Sequence, residues 1–182
     1  MAFDPSQPRD KEGRWSAVGA YISEDGFKMN EALRQGYEDY PGVAAMDSAI
    51  NETGTIYDGD LYRGAADDFT ESFSQGINQD FLDGEYGDYT ESLAGHTITD
   101  SAFVSSSESI DIASDFANRG NGMGTIIKIK SKSKSLNVSD VMGEDANWQE
   151  EHVFGRGTSF TIKKAYTQEN MGRATLFLEV EG

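Results

Sequence analysis

The sequence predicts an α+β fold, in which helices in the first part of the chain precede a mainly antiparallel, strand-rich second part. Two observations carry this prediction. Apolar residues recur at helical spacing between residues 26 and 50, whereas apolar and charged residues alternate in the later segments TIIKIKSK and TLFLEVE. We therefore expect a sheet whose strands come mostly from the second half of the chain.

Two predicted helices lie early in the chain. The first runs between residues 26 and 36, where Gly36 is a typical helix stop, and the second follows Pro41. Each is expected to bury one apolar face. These faces comprise Phe27, Met29, Ala32 and Leu33 in the first helix, and Val43, Met46 and Ile50 in the second.

Short apolar segments mark the first strands. LYRG (61–64) and AFVSSS (102–107) are too short for helices and are predicted as strands. Between them, the apolar residues of 66–96 hint at helical packing without a clean repeat. A further helix is predicted after the serines, with Asp111 in its first turn and Gly120 as its stop.

The length of 182 residues fits one folded domain. Pro5 and Pro8 lie among polar residues that bury little surface, so residues 1–15 are predicted as an arm and residues 16–182 as the domain. Fifteen Lys and Arg against 32 Asp and Glu give a net charge of −17, which disfavours non-specific binding of nucleic acid. Any site that binds phosphate must then be a local patch of positive charge on a negative surface.

The composition excludes several kinds of site. The chain has no cysteine, which excludes disulfides, thiolate zinc sites and cysteine nucleophiles. His96 and His152 are far apart, and neither DGD (58–60) nor DGEYGD (83–88) fits the ~12-residue calcium loop, so no metal is expected. No apolar run reaches the ~20 residues of a membrane span, and no signal peptide is recognisable, so we expect a soluble protein.

Arg63 is the first candidate functional residue, at the end of a strand that reads as buried. Its planar guanidinium suits phosphate oxygens, and Gly64 permits close approach of a ligand to the backbone. A salt bridge with one of the many acidic residues is the more economical explanation of Arg63 taken alone.

Ser105, Ser106 and Ser107 form the second candidate group, directly before a predicted helix. Their hydroxyls can cap that helix. They can equally bind ribose hydroxyls and a carboxylate, because each hydroxyl both donates and accepts.

The third candidate is the segment WQEEHVFGRGTSF. In extended backbone Gln149 and Glu151 point to the same side and Glu150 to the other, so one face offers an amide and a carboxylate two positions apart. A solvated acidic edge strand is the alternative for this segment by itself.

Taken in this order, the three elements resemble the arginine, serine, glutamate branch of the ADP-ribosyltransferases. LYRG resembles the arginine strand, FVSSSESIDIASDFA the FTSTS strand with its helix, and QEEHVFGRGTSF the glutamate turn and strand. Counting back from Arg156 places the family's catalytic glutamate at Glu151 rather than Glu150. KMNEALRQG also resembles the early helix of bacterial toxin members. The sequence departs from the pattern at Ser106, usually Thr, and at Gly155, commonly Pro.

The resemblance implies the ADP-ribosyltransferase fold, with N-terminal helices followed by two packed, mainly antiparallel sheets around an NAD cleft. It makes residues 16–182 a catalytic domain and NAD the cosubstrate. Glu151 then stabilises the positive charge that develops on the ribose as its bond to nicotinamide breaks, and Ser105 orients Glu151. Arg63 is expected to bind the pyrophosphate or the adjoining ribose.

The same resemblance implies further contacts with NAD. Asn30, and more weakly Arg34, are candidates on the early helix, and Arg119 is a candidate in the loop NRGNGMG, where it can equally be an ordinary loop cation. The remaining expected contacts are the backbone of Gly64 and the hydroxyls of Ser106 and Ser107.

The acceptor is expected to depend on Gln149, a catalytic and recognition residue two positions before Glu151. The family's arginine-modifying members carry Glu at that place. An amide pairs with a neutral amide or hydroxyl but not with a guanidinium as a carboxylate does, so Asn, Gln or Thr is expected over Arg. Trp148 is expected to stack on the target, with a core position as its alternative.

The amino-terminal FDPSQPRDKEGRW resembles a segment of phage-encoded virion-associated and polyvalent proteins, with a plain linker as the alternative. The resemblance implies a phage or bacterial effector that acts in the host bacterial cytoplasm. Expected partners are NAD and a host protein, with an inhibitor or antitoxin as a further candidate and no membrane. Two alternatives stay open: transfer to RNA or DNA, and a non-catalytic virion or interaction module that retains the fold.

Overall fold

The computed structural model describes residues 17–66, 86–142 and 150–182. The expected arm over residues 1–15 therefore lies outside the described residues. So do positions 67–85 of the irregular middle region, and Trp148 and Gln149. The division into an arm and one catalytic domain stays a prediction.

The described residues form six helices. Helices α2 (Glu24–Arg34) and α3 (Val43–Thr53) were predicted, whereas the short α1 (Ala17–Tyr21) before them was not. In helix α2 the Ser23 hydroxyl accepts a hydrogen bond from the Asp25 N–H, which caps the helix start. Gly36, with φ +86°, follows its end as expected of a glycine stop. The helices are α1 (Ala17–Tyr21), α2 (Glu24–Arg34), α3 (Val43–Thr53), α4 (Thr90–Leu93), α5 (Ile110–Ala117) and α6 (Val138–Met142).

The buried face of α2 differs from the prediction at one residue. Met29 and Leu33 are buried, but Phe27 is 75% exposed. Because a helix turns by about 100° per residue, positions 27 and 29 lie about 200° apart and cannot share a face. The prediction that Phe27 belongs to the buried face is therefore wrong.

Eight strands form one sheet in the described residues. The strands are β1 (Leu61–Ala65), β2 (Thr97–Thr99), β3 (Val104–Ser107), β4 (Gly124–Lys130), β5 (Ser135–Asn137), β6 (Glu151–Phe154), β7 (Ser159–Asn170) and β8 (Arg173–Glu181). Their order in the sheet is β2-β7-β8-β4-β1-β3-β6-β5, and neighbours are antiparallel except β4 and β8, which are parallel.

The α+β fold with early helices and a mostly antiparallel sheet is thus confirmed. The strands were expected in two packed sheets, but hydrogen bonding joins them into one. The two parts of the sheet join between β1 and β3. This junction is short, because β1 pairs with β4 along its whole length but with β3 through the single residue pair Tyr62 and Ser107.

Buried apolar side chains form separate clusters over the helices and within the sheet. One joins α1, α2 and α3 to Phe103, and another is centred on β4, β7 and β8. The predicted late strands are confirmed, and in β4 Ile127 and Ile129 are buried while Lys130 is exposed. In β8 the expected alternation is incomplete, because Phe177 is buried together with Leu176 and Leu178. None of the helices in the described ranges has the length and apolarity needed to cross a membrane.

Candidate active site

A cavity of about 550 Å³ lies between helices α1 and α2 on one side and β1, β3 and α5 on the other. Its volume is within the roughly 300–1,000 Å³ of small-molecule sites. Every predicted site residue that the structure describes lines this cavity: Asn30, Arg34, Arg63, Gly64, Ser105, Ser106, Ser107, Arg119 and Glu151. Segments far apart along the chain therefore converge on one space.

Arg63 projects from β1 and is largely buried, with 12% of its side chain exposed. Its Nη1 donates to the Ser105 carbonyl oxygen at 2.7 Å, which ties β1 to the serine strand. Its Nη2 lies 4.0 Å from the Asp100 carboxylate. Burial lowers the pKa of Arg63 and the nearby Asp100 raises it. The guanidinium stays charged at neutral pH, because arginine is not deprotonated in proteins.

Asp100 is a residue that the sequence interpretation missed. Its carboxylate is 1% exposed and accepts two hydrogen bonds from Arg34, Nε at 3.1 Å and Nη2 at 2.7 Å. It also accepts the Ala102 N–H at 2.9 Å. One buried carboxylate thus faces both Arg34 and Arg63, and only burial distinguishes it from the chain's many other acids.

Ser105 and Glu151 meet across the paired strands β3 and β6. Ser107 is the cross-strand partner of Glu151, which places Ser105 diagonally beside the carboxylate on the same face. Burial raises the pKa of Glu151, whereas a hydrogen bond from the Ser105 hydroxyl and the charge of Arg63 lower it. The arrangement can present a fixed, partly desolvated carboxylate to positive charge in the cavity.

Tyr21, at the end of α1, is a second residue that the sequence interpretation missed. It is 4% exposed, and its hydroxyl lies 2.9 Å from Ser105 Oγ. Asn30 Nδ2 donates to the same hydroxyl at 2.9 Å, while Asn30 Oδ1 accepts the Phe103 N–H at 3.1 Å. Asn30 is thus built into the wall through hydrogen bonds that sequence spacing could not reveal.

Ser106 and Ser107 line the cavity, but their hydroxyls also have structural partners. The Ser106 hydroxyl donates to the His152 carbonyl oxygen at 3.1 Å. The Ser107 hydroxyl accepts the Ser109 N–H at 3.0 Å, directly before α5. The N-cap residue of α5 is Ser109, which makes no side-chain cap, so the hydrogen bond of Ser107 orders the turn before the helix and the expected capping role is not found. Contact with NAD stays a prediction for both serines.

Gly64 allows helix α5 to lie directly against the sheet. A Cβ at Gly64 would come 1.7 Å from the Ala113 carbonyl oxygen, and one at Gly124 would come 2.0 Å from that of Ala117. The close approach predicted for a ligand at Gly64 is thus made by a helix backbone. Gly64 also lines the cavity.

The loop after α5 is held by Arg173. Its Nη1 donates to the carbonyl oxygens of Asn118 at 3.0 Å and Gly120 at 2.6 Å, and its Nη2 to that of Gly122 at 2.6 Å. Arg119 in this loop lies over the Phe116 ring, 3.7 Å from its centroid. The loop conformation that brings Arg119 to the cavity is therefore fixed from β8.

A polar cluster anchors the start of β6. His152 Nε2 lies 2.9 Å from Glu108 Oε1, and the Tyr57 hydroxyl donates to Glu108 Oε2 at 2.7 Å, which raises the pKa of Tyr57 to about 12. The Glu108 N–H donates to the Glu150 carbonyl oxygen at 3.2 Å. Within the described ranges, no group of three or more His, Asp or Glu residues is placed to hold a metal ion.

Gln149 and Trp148 lie outside the described residues, so their expected roles stay predictions. Glu150, the next residue that the structure describes, is exposed and has φ +49°. This left-handed residue turns the chain immediately before Glu151 enters the sheet.

Comparison with known proteins gives a family and a fold. The family model described as "ADP-ribosyltransferase exoenzyme" matches residues 10–181. Among solved structures, the ADP-ribosyltransferase toxin Plx2a from Paenibacillus larvae is 16% identical, covers 91% of this chain and 82% of its own, and has a TM-score of 0.64. No curated protein matches the chain significantly.

Two further solved structures carry nicotinamide dinucleotides. C3stau2 from S. aureus with NAD is 16% identical, covers 90% of this chain and 84% of its own, and has a TM-score of 0.61. Exoenzyme S from Pseudomonas aeruginosa, bound to carba-NAD and human 14-3-3 protein beta, is 18% identical, covers 91% and 74%, and has a TM-score of 0.56. At such identities the structural matches establish the fold alone.

Proposed function

The chain belongs to the ADP-ribosyltransferase exoenzyme family, and from that premise we propose that it transfers ADP-ribose from NAD to a side chain of a host protein. Membership makes it an NAD-dependent transferase. The proposal adds the residues that perform the reaction and the class of acceptor.

One observation carries the assignment of residues: Arg63, Ser105 and Glu151 line a single cavity. When bound there, NAD supplies the ADP-ribosyl group, and its nicotinamide is the leaving group. The Glu151 carboxylate stabilises positive charge at the ribose carbon as the glycosidic bond weakens. The Ser105 hydroxyl holds that carboxylate in place.

The cavity wall fits a dinucleotide with two phosphates. It carries the guanidinium groups of Arg34, Arg63 and Arg119, which suit pyrophosphate oxygens on an otherwise strongly acidic molecule. We assign Arg63 to the pyrophosphate or adjoining ribose, and Arg119 to a second phosphate contact. The backbone of Gly64, the amide of Asn30, and Ser106 and Ser107 are assigned to the nicotinamide and ribose groups.

The acceptor is proposed to be an Asn, Gln or Thr side chain, because Gln149 stands two residues before Glu151. Its amide suits a neutral polar acceptor better than a guanidinium. Trp148 is proposed to contact the target beside it. Changing Gln149 to Glu should alter transfer to protein more than NAD hydrolysis, and equal loss of both activities would contradict the specificity role.

We place the reaction in the cytoplasm of a bacterial host, with delivery by a phage or by another bacterium. The likeness of FDPSQPRDKEGRW to virion-associated and polyvalent proteins supports this placement. An inhibitor or antitoxin is proposed as a partner in the producing cell, because NAD-consuming transferase activity would otherwise act there as well.

The test is to incubate the purified chain with labelled NAD and bacterial lysate. Label is expected in protein bands, and Glu151→Gln should lower it by about 100-fold or more. Glu150→Gln is the matched control, because it removes the adjacent exposed carboxylate and should retain NAD hydrolysis. Equal labelling by wild type and Glu151→Gln would refute the catalytic assignment. Label confined to nucleic acid would refute a protein acceptor.

A further inference from the structure

The hydroxyl of Tyr21 lies between two polar groups of the cavity wall. It is 2.9 Å from Asn30 Nδ2 and 2.9 Å from Ser105 Oγ, and its ring packs edge-on against Phe103 with centroids 5.6 Å apart. Tyr21 comes from α1, so the amino-terminal helix reaches the serine that contacts Glu151. The family motifs recognised in the sequence do not include this residue.

A series of hydrogen bonds runs from the Phe103 N–H through Asn30, Tyr21 and Ser105 to Glu151. The direction of each bond follows from whether the neighbouring group can donate or only accept. The Phe103 N–H can only donate, so the Asn30 atom that faces it is Oδ1, and Nδ2 faces Tyr21. The Tyr21 oxygen accepts from that amide, which leaves its own proton for Ser105 Oγ. Ser105 then directs its proton to the Glu151 carboxylate, which when ionised can only accept.

We propose that Tyr21 is a positioning residue that acts through Ser105, fixing the serine hydroxyl as a donor to the Glu151 carboxylate. The inference rests on the proposed catalytic role of Glu151. Hydrogen bonds arranged in one direction polarise each other, so the donation from Tyr21 strengthens the donation from Ser105. Without Tyr21, Ser105 can rotate or donate elsewhere, and the carboxylate loses its fixed orientation.

The charges around Glu151 agree with this role. Burial raises the pKa of Glu151, and the Ser105 hydrogen bond and the charge of Arg63 lower it. Arg63 in turn faces the charges of Asp100 and Arg34. Burial chiefly raises the pKa of Tyr21 itself, so its phenol keeps the proton that it donates.

The decisive variant is Tyr21→Phe, which removes one hydroxyl and keeps the ring against Phe103. In NAD hydrolysis by the purified chain, kcat should fall about tenfold, with little change in KM. The acid limb of the kcat profile should move to higher pH, because Glu151 becomes easier to protonate. Tyr40→Phe is the matched control, since Tyr40 packs against the same helical cluster. It should leave the rate and the profile unchanged.

A double-mutant cycle with Ser105→Ala separates an action through the serine from a direct one. If Tyr21 acts through Ser105, adding Tyr21→Phe to Ser105→Ala should change kcat less than twofold. A tenfold loss in that background too, or an unchanged acid limb in Tyr21→Phe, would overturn the inference. Melting temperatures of all variants identify any loss of rate that is due to unfolding.

Failure of this inference differs visibly from failure of the proposed function. If Glu151→Gln hydrolyses NAD as fast as wild type, the function itself is refuted. If Glu151→Gln is inactive but Tyr21→Phe matches Tyr40→Phe in kcat and pH profile, only the positioning role of Tyr21 is refuted.

Discussion

Two arginine–aspartate pairs with nearly the same geometry but different burial allow a quantitative test of the site's stability. Arg34 contacts Asp100 at 3.1 and 2.7 Å, and Arg156 contacts Asp47 at 3.1 and 2.6 Å. The Asp100 side chain is 1% exposed, whereas that of Asp47 is 29% exposed. The two pairs therefore differ in how far the carboxylate is removed from water, and Asp100 additionally faces Arg63 and accepts the Ala102 N–H.

Replacing Asp100 by Asn keeps the shape but removes the charge and turns an N–H donor towards a guanidinium. Arg34 then lacks its anion, and Arg63, 4.0 Å from Asp100, loses the compensating charge for its own burial. Breaking a buried ion pair costs about 3–5 kcal/mol. For a chain of this size that lowers Tm by about 6–20 °C, at about 2–4 °C per kcal/mol. Urea denaturation and calorimetry at pH 7 measure both quantities.

The matched variant is Asp47→Asn, for which water screens the remaining charge. Its cost should be at most about 1 kcal/mol, as for partly exposed pairs. If the two substitutions destabilise the protein equally, or Asp100→Asn costs less than Asp47→Asn, burial does not control the strength of these pairs. The explanation that the Asp100 carboxylate compensates the charges of Arg34 and Arg63 would then be wrong.

Three further predictions concern single residues of the site. Gly64→Ala should lower the free energy of unfolding by about 2–3 kcal/mol in urea titrations, because its Cβ would lie 1.7 Å from the Ala113 carbonyl oxygen. Glu151→Gln should raise Tm at pH 7, with the gain shrinking towards pH 4. Burial raises the pKa of Glu151 in the folded state, so the wild-type protein loses stability as pH rises through that pKa, whereas the uncharged Gln variant does not. Arg173→Lys should raise the KM for NAD severalfold with little change in kcat, because one ammonium cannot hold all three carbonyls of loop 118–122.

Each of these has an outcome that contradicts its reasoning. Gly155→Ala serves as the control for Gly64→Ala, because among the described residues the nearest atom to a Cβ there belongs to the Ile50 side chain, at 4.0 Å. Equal effects would rule out the clash with α5. A Tm for Glu151→Gln below that of wild type at pH 7 would mean that Arg63 stabilises the carboxylate more than burial destabilises it. An unchanged KM in Arg173→Lys would show that the loop keeps its shape without the guanidinium.

Local sequence patterns predicted much of the fold. The helices containing Met29 and Met46 and the strands containing Arg63 and Ile127 were all recognised, because apolar spacing follows directly from the geometry of a helix or strand. Phe27 was assigned to the wrong face. The junction of the strands into one sheet was also missed, since it depends on a pairing between β1 and β3 that spans more than 40 residues.

The candidate chemical groups Arg63, Ser105 and Glu151 could be identified from local motifs, because those motifs are short and contiguous. Which other side chains surround them depends on how the folded chain packs. In the sequence, Asp100 and Tyr21 resemble many other aspartates and tyrosines. In the folded protein, Asp100 is buried beside two guanidinium groups and the Tyr21 hydroxyl lies against the Ser105 hydroxyl. Burial and hydrogen-bond direction arise only when distant segments pack together, so no local pattern records them.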